Sequence, residues 1–237
     1  MSITLYTLNI VPEGDGVTVK RLMPTYALRH ADPFVLCDHF NIREGGFPNH
    51  PHRGFEAITY LFSGGMNHTD NLGNQGTIHA GGAQRFTAGR GMVHSEFPDG
   101  HAHGIQLWIN LPKRLKQIEP SYQQVDHIPE QIEQGCTIRT IVGEKGAIDL
   151  LTRVEYLDIS MPQDAMLHRD IAQGGSGFVY VVEGSLKLQD QQLQTGQAAL
   201  FHTLESLQLH ALLNSRLILC WGQPHHEPIL QHGPFVD

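Results

Sequence analysis

His50-Pro51-His52-Arg53-Gly54-Phe55-Glu56-Ala57-Ile58-Thr59-Tyr60-Leu61-Phe62 sets two histidines one residue apart, directly before a run of β-branched and aromatic residues. Side chains on a strand alternate between its faces, so residues i and i+2 share one face. His50 and His52 can therefore aim at one point. A second run, Ala88-Gly89-Arg90-Gly91-Met92-Val93-His94-Ser95-Glu96, leaves a glycine-punctuated turn and ends in another pair with a one-residue gap. Both runs lie where a turn meets a strand, at the mouth of a sheet. Two such strands facing each other across a barrel would bring His50, His52, His94 and Glu96 onto one ion. Three imidazoles and one carboxylate suit a borderline divalent transition metal such as Fe(II), Ni, Cu or Zn.

The chain has 16 histidines, so some pairs at this spacing arise by chance. His101-Ala102-His103 is read as one of these, or as a loop pair near the site. At 237 residues there is room for a sizeable core, as one large or two small domains. The 25 glycines and 13 prolines are spread along the chain, which favours many short strands over long helices. The net charge of −8 gives direct nucleic-acid binding no overall electrostatic support. Cys37, Cys136 and Cys220 are scattered, without C-x-x-C spacing, as expected of a reduced cytoplasmic protein rather than a disulfide framework. No secretion signal and no transmembrane helix is expected from the sequence.

Strand signals fall at 17–22, after the turn dipeptide Asp15-Gly16, and at 33–40, 57–62, 77–80, 84–87 and 104–110. The segment from Pro112 to Ile118 is expected to form two turns of helix. The polar stretch 119–135 reads as a linker, and the expected division is 1–132 and 133–237. Tyr60-Leu61-Phe62-Ser63-Gly64 is echoed 120 residues later by Tyr180-Val181-Val182-Glu183-Gly184, and Gly82-Ala83 finds an echo at a shorter offset in Gly196-Gln197-Ala198. At the offset of 120, His50 and His52 become Asp170 and Ala172, and His168, His202 and His210 stand alone. The expectation is an all-β chain of two similar barrels, the first metal-binding and the second degenerate.

The run from His50 to Glu56 with Thr59-Tyr60-Leu61 resembles the first motif of the pirin family in the cupin superfamily. So do His68-Thr69-Asp70-Asn71-Leu72-Gly73-Asn74, the stretch Thr87 to Glu96, Gln106-Leu107-Trp108-Ile109-Asn110-Leu111-Pro112, and Glu227-Pro228-Ile229 with His232-Gly233-Pro234-Phe235-Val236. The resemblance implies a bicupin, two antiparallel β-barrels face to face, with few short helices and one metal in the N-terminal barrel. It places the ligands on His50, His52, His94 and Glu96. The broader cupin pattern offers Glu56 instead. A straight strand carries Glu56 roughly 13 Å beyond His52, at about 3.3 Å per residue, and so favours Glu96.

The resemblance also implies quercetin 2,3-dioxygenase activity, with a flavonol-like aromatic molecule and O2 as partners and Glu96 as ligand and catalytic base. Fe(II) is the first expectation, with Ni, Cu, Zn or Mn as alternatives. The alternative function is a non-enzymatic iron-dependent redox sensor acting on a regulatory protein partner. Phe47, Phe55, Met92 and Phe97 are candidates for an apolar substrate wall or for ordinary core. Arg53 is read as countering substrate charge, pairing with Glu56 or standing at the rim. Gln84 and Gln106 either orient a ligand imidazole or face solvent.

Overall fold

In the computed structural model, which describes residues 2–237, the regular secondary structure is almost entirely strand. In chain order the strands are β1 (Ser2–Thr7), β2 (Asn9–Glu13), β3 (Val17–Met23), β4 (Phe34–Ile42), β5 (Phe47–His52), β6 (Phe55–Asp70), β7 (Gln75–His79), β8 (Ala83–Thr87), β9 (Met92–Asn110) and β10 (Ser121–Val125). They continue as β11 (Glu130–Glu133), β12 (Cys136–Val142), β13 (Val154–Met161), β14 (Met166–Asp170), β15 (Ser176–Glu183), β16 (Ser185–Leu188), β17 (Gln191–Gln194), β18 (Gln197–His202), β19 (Ser206–Ala211) and β20 (Ser215–Gly222), closing with β21 (Gln231–His232) and β22 (Phe235–Val236). Among the described residues no helix is long and apolar enough to cross a membrane.

The packing resolves into two units. In the N-terminal unit the main sheet has the order β10-β8-β6-β9-β4-β3-β2, with β5 added to β9 and β7 to β6. In the C-terminal unit the corresponding sheet is β1-β18-β15-β20-β13-β12-β11, accompanied by a second sheet, β14-β19-β16-β17. The weak repeat in the sequence is thus a repeat of register. Tyr60 stands opposite Ala83 and Ile105, and Tyr180 opposite Ala198 and Ile218. Both tyrosines are fully buried, as a central strand flanked on both sides requires.

The units are not cut at 132. β1 pairs with β18 and belongs to the C-terminal unit, whereas Leu150–Thr152 and His225–Asp237 pack with the N-terminal one. β6 and β9 also outrun the expected strands. Beyond 62, where the expected strand ends, the register shifts between Gly64 and Met66 as a bulge through which β6 continues. Gly64 has φ +79°, and a Cβ there would meet the carbonyl oxygen of His101 at 2.0 Å, so the two chains approach closely at this point. The expected helix after Pro112 is a single 3-10 turn, Lys113–Leu115. It buries no side chain, so nothing holds a second turn in place.

The C-terminal unit fills its interior with Leu186, Leu193, Phe201, Leu207, Leu209, Leu217 and Leu219, each at most 1% exposed. The buried apolar side chains of the N-terminal unit include two smaller clusters, one around Phe55, Phe86 and Trp108 and one around Phe40, Leu61 and Met66. Polar groups are buried in this unit as well: Thr59, His68, Gln84, His94 and Glu96 are all at most 4% exposed. Burying that many polar side chains is unfavourable unless they find partners.

Candidate metal centre

The first half of β9 runs between β5 and β6. His94 lies opposite His50 on one side and Asp70 on the other; Glu96 lies opposite Phe47 and His68. The two histidine-bearing runs are therefore hydrogen-bonded neighbours in one sheet, not strands facing each other across a barrel. Alternation then brings three i, i+2 pairs to one face: His50 and His52, His94 and Glu96, and His68 and Asp70.

The ligating atoms of His50, His52 and His94 lie within 4.8 Å of one another, and those of His68, His94 and Glu96 form a second such group. Of the four residues singled out in the sequence, the three histidines come together as one triplet. Glu96 joins His94 in the adjoining group. Among the described residues both groups fall in the N-terminal unit. His101 and His103 are not among them: His101 bonds Asn41 and His103 meets His39, at 2.8 and 2.7 Å.

Hydrogen bonds fix which ring nitrogens are free. A carbonyl oxygen only accepts, so a ring nitrogen facing one carries its hydrogen. His50 Nδ1 donates to the Pro48 carbonyl at 2.7 Å, and His52 Nδ1 to the Pro234 carbonyl at 3.2 Å. When those rings are neutral, the lone pair of each is on Nε2. His50 Nε2 stands 3.1 Å from His94 Nε2. Burial, then His50, pushes the His52 imidazole down to about 3. Burial, then His52, His50 and His68, holds His94 well below its ordinary value. A neutral imidazole is the ligating form, and an outward hydrogen bond from the far nitrogen is the usual support of a metal-bound histidine. This donor set fits a divalent transition cation.

Glu96 is 4% exposed and anchored at one oxygen. The Gln84 side-chain amide donates to Glu96 Oε1 at 2.5 Å, and the Thr59 hydroxyl lies 3.0 Å from the same atom. The Tyr122 hydroxyl donates towards Gln84 Oε1 at 3.0 Å, which sets the orientation of the Gln84 amide. Gln84 therefore supports the carboxylate, not an imidazole. Gln106 receives the Thr59 hydroxyl at 2.6 Å and lines the cavity described below. Glu56 lies elsewhere: it accepts from the Thr87 hydroxyl and from the backbone N–H groups of Leu151 and Thr152.

A cavity of about 910 Å³ opens beside His50, His52 and Glu96. Its apolar lining includes Leu36, Phe40, Phe47, Met66 and Trp108, and Ile229–Pro234 closes one side. Of the four apolar residues expected there, only Phe47 lines it. Phe55 and Met92 are core, and Phe97 is 43% exposed. Arg53 turns away to the rim, where it makes a two-pronged ion pair with Asp237 and lies 4.3 Å over the Phe235 ring. Lys116 Nζ donates to the carbonyls of Gly54 and Val236. The C-terminal residues are thereby tied down against the strand that carries His52.

Family models match the chain over residues 16–109, as Pirin, and over 156–237, as Pirin C-terminal cupin domain. A Solanum lycopersicum pirin-like protein is 39% identical over 94% of this chain and 82% of its own length. Homo sapiens pirin is 38% identical over 94% and 83%. Among solved structures, a quercetin 2,3-dioxygenase from Acinetobacter baumannii is 30% identical with a TM-score of 0.90, covering 98% of this chain and 90% of that one. The bacterial pirin YhhW from Escherichia coli, in complex with nickel(II), shares the fold at 22% identity and a TM-score of 0.80, over 94% and 99% of the two chains.

Proposed function

The chain belongs to the pirin family of the cupin superfamily, and from that premise we propose that it is a metal-dependent dioxygenase cleaving quercetin-type flavonols with O2. The metal is one divalent transition ion, Fe(II) in first place, held by His50, His52, His94 and Glu96. The observation that carries this reading is the convergence of three imidazoles beside a cavity whose lining includes Phe40, Phe47 and Trp108. Its likeness to a quercetin 2,3-dioxygenase of known structure supports the substrate class. In the overall reaction both atoms of O2 enter the product and one ring carbon leaves as carbon monoxide.

When bound, the metal supplies a Lewis-acidic, redox-capable centre for an oxygen-rich substrate. The protein supplies the rest. The cavity of about 910 Å³ lies within the usual range for small-molecule sites. Phe47 and Trp108 line it with aromatic faces for a flat ring system. Glu96 Oε1 accepts from the Gln84 amide, which leaves Oε2 as the atom that would hold the metal and, in turn, accept the proton of the substrate hydroxyl.

The test is a pair of spectra. Protein purified without chelator and analysed for metal is mixed anaerobically with quercetin, then exposed to O2. The expected result is a shifted flavonol absorption band that persists without oxygen and bleaches with it, as carbon monoxide is released. A metal-containing protein that leaves the flavonol band unshifted, and consumes no oxygen, contradicts the proposal.

A further inference from the structure

Resting on the metal reading above, we infer that His68 and Asp70 are positioning residues which hold the His94 imidazole in the one tautomer that can offer its Nε2 lone pair to the metal. An ionised carboxylate only accepts, so at the 3.2 Å contact between His68 Nε2 and Asp70 Oδ2 the ring nitrogen is the donor. A neutral His68 then carries its lone pair on Nδ1. That nitrogen faces His94 Nδ1 at 3.4 Å, so His94 Nδ1 holds the hydrogen and Nε2 the lone pair. It is Nε2 of His94 that stands 3.1 Å from His50 Nε2. With the hydrogens placed the other way along this chain, His94 Nε2 would be protonated and have nothing to donate to a cation.

The relay is anchored at its far end. Asp70 Oδ1 accepts the backbone N–H groups of Leu72 and Asn74, both at 2.9 Å, and Oδ2 accepts the Asn74 side-chain amide at 2.8 Å. The turn that ends β6 thus fixes the carboxylate. Tyr122 stacks on His68 with ring centroids 4.5 Å apart and planes 22° from parallel, which fixes the ring. His68, Asp70 and His94 are 1%, 8% and 0% exposed, so water does not compete for these bonds. Strand register supplies the spacing: Asp70 lies opposite His94, and His68 opposite Glu96. A carboxylate that orients a ligand histidine directly is common; here a second imidazole is inserted between the two.

The experiment has two arms. The first needs no variant: long-range nitrogen–proton correlation spectra of histidine-labelled, metal-free wild type read the tautomer of each ring. His94 is expected with its hydrogen on Nδ1; finding it on Nε2 overturns the inference. The second measures Ni(II) affinity by chelator competition in wild type, His68→Phe and His68→Gln, with circular dichroism as the folding control. Phenylalanine keeps the ring and its stacking on Tyr122 but cannot accept from His94, and the affinity should fall about 10–100-fold. Glutamine can accept from His94 and donate to Asp70, and should restore most of it. Equal affinity in wild type and His68→Phe overturns the inference. Equal loss in both variants also overturns it, because His68 would then be a ligand itself. A wild type that binds no Ni(II), yet has His94 protonated on Nδ1, refutes the metal reading and this inference with it, but leaves the hydrogen-bond order standing.

Discussion

Gln84 and Glu96 lie on strands that do not touch, β8 and β9, yet the amide of one donates to the carboxylate of the other at 2.5 Å across the buried face of the intervening β6. The same oxygen faces the Thr59 hydroxyl, so Glu96 is held by one atom and presents the other. Replacing Gln84 with Leu removes the amide donor from the buried Glu96 Oε1, while the Tyr122 hydroxyl keeps Gln124 Oε1 as an acceptor at 3.0 Å. We expect metal affinity to fall about 10–100-fold and stability by about 1–3 kcal/mol. Chelator competition and urea unfolding of the metal-free protein measure the two separately. An affinity unchanged in Gln84→Leu would show that the carboxylate needs no such support.

One metal per chain is expected, in the N-terminal unit. Both candidate groupings lie there, while the interior of the other unit is packed with leucine and phenylalanine. His52→Ala should abolish metal retention. His202→Ala should not, because His202 is an exposed residue on β18. Elemental analysis after gel filtration decides it, and two equivalent metals per chain would refute the assignment.

Gly54 lies two residues beyond His52, with φ +84°, and a Cβ there would meet the Val236 carbonyl oxygen at 1.8 Å. Gly54→Ala should therefore displace the C-terminal residues and with them the Pro234 carbonyl that His52 Nδ1 bonds. The expected loss of stability exceeds about 1 kcal/mol, with weaker metal binding alongside. Melting curves with and without Ni(II) would show the effect; an alanine variant indistinguishable from wild type in both would contradict the docking described.

His39 provides a pH test away from the candidate ligands. Burial, then His103 and Lys20, pushes its imidazole down to about 3 from an ordinary 6.5. The folded state thus binds fewer protons than the unfolded state between those values. The stability contributed by neutral His39 is complete above about pH 6.5 and is lost as pH falls towards 3. On the scale of about 1.4 kcal/mol per pKa unit, wild type should lose roughly 2 kcal/mol more than His39→Phe between about pH 7 and pH 4.5. Urea unfolding at the two pH values measures the difference, and equal acid sensitivity of the two proteins would contradict it.

Much of this was legible in the sequence because strand chemistry is periodic. The i, i+2 spacing of His50 and His52, and of His94 and Glu96, foretold which side chains share a face. The match of Tyr60 with Tyr180 foretold the repeated register. What spacing could not give was pairing: nothing in either run says that β5 and β9 are neighbours in one sheet. His68-Thr69-Asp70 has the same one-residue gap as the ligand runs and was available as a signal, but its role depends on the register that places it beside β9. The support of Glu96 by Gln84, and of His52 by Pro234, joins residues 12 and 182 positions apart in the chain. No local pattern encodes contacts of that kind. Arg53 stands at the rim, one of the three places the sequence left open, but its partner there, Asp237, is equally distant in the chain and not locally encoded.

We propose that Glu96, with one oxygen pinned, moves a proton from the substrate during flavonol cleavage as well as completing the metal site. Oxygen consumption with quercetin, normalised to bound metal, tests this in Glu96→Gln. The variant keeps the shape and a ligating oxygen but loses the basicity. The account predicts that it holds metal appreciably while its turnover per metal falls about 10²–10⁴-fold. Turnover per metal equal to wild type would contradict the role of Glu96 as the base, and no oxygen consumption by metal-loaded wild type with any flavonol would contradict the dioxygenase reading as a whole.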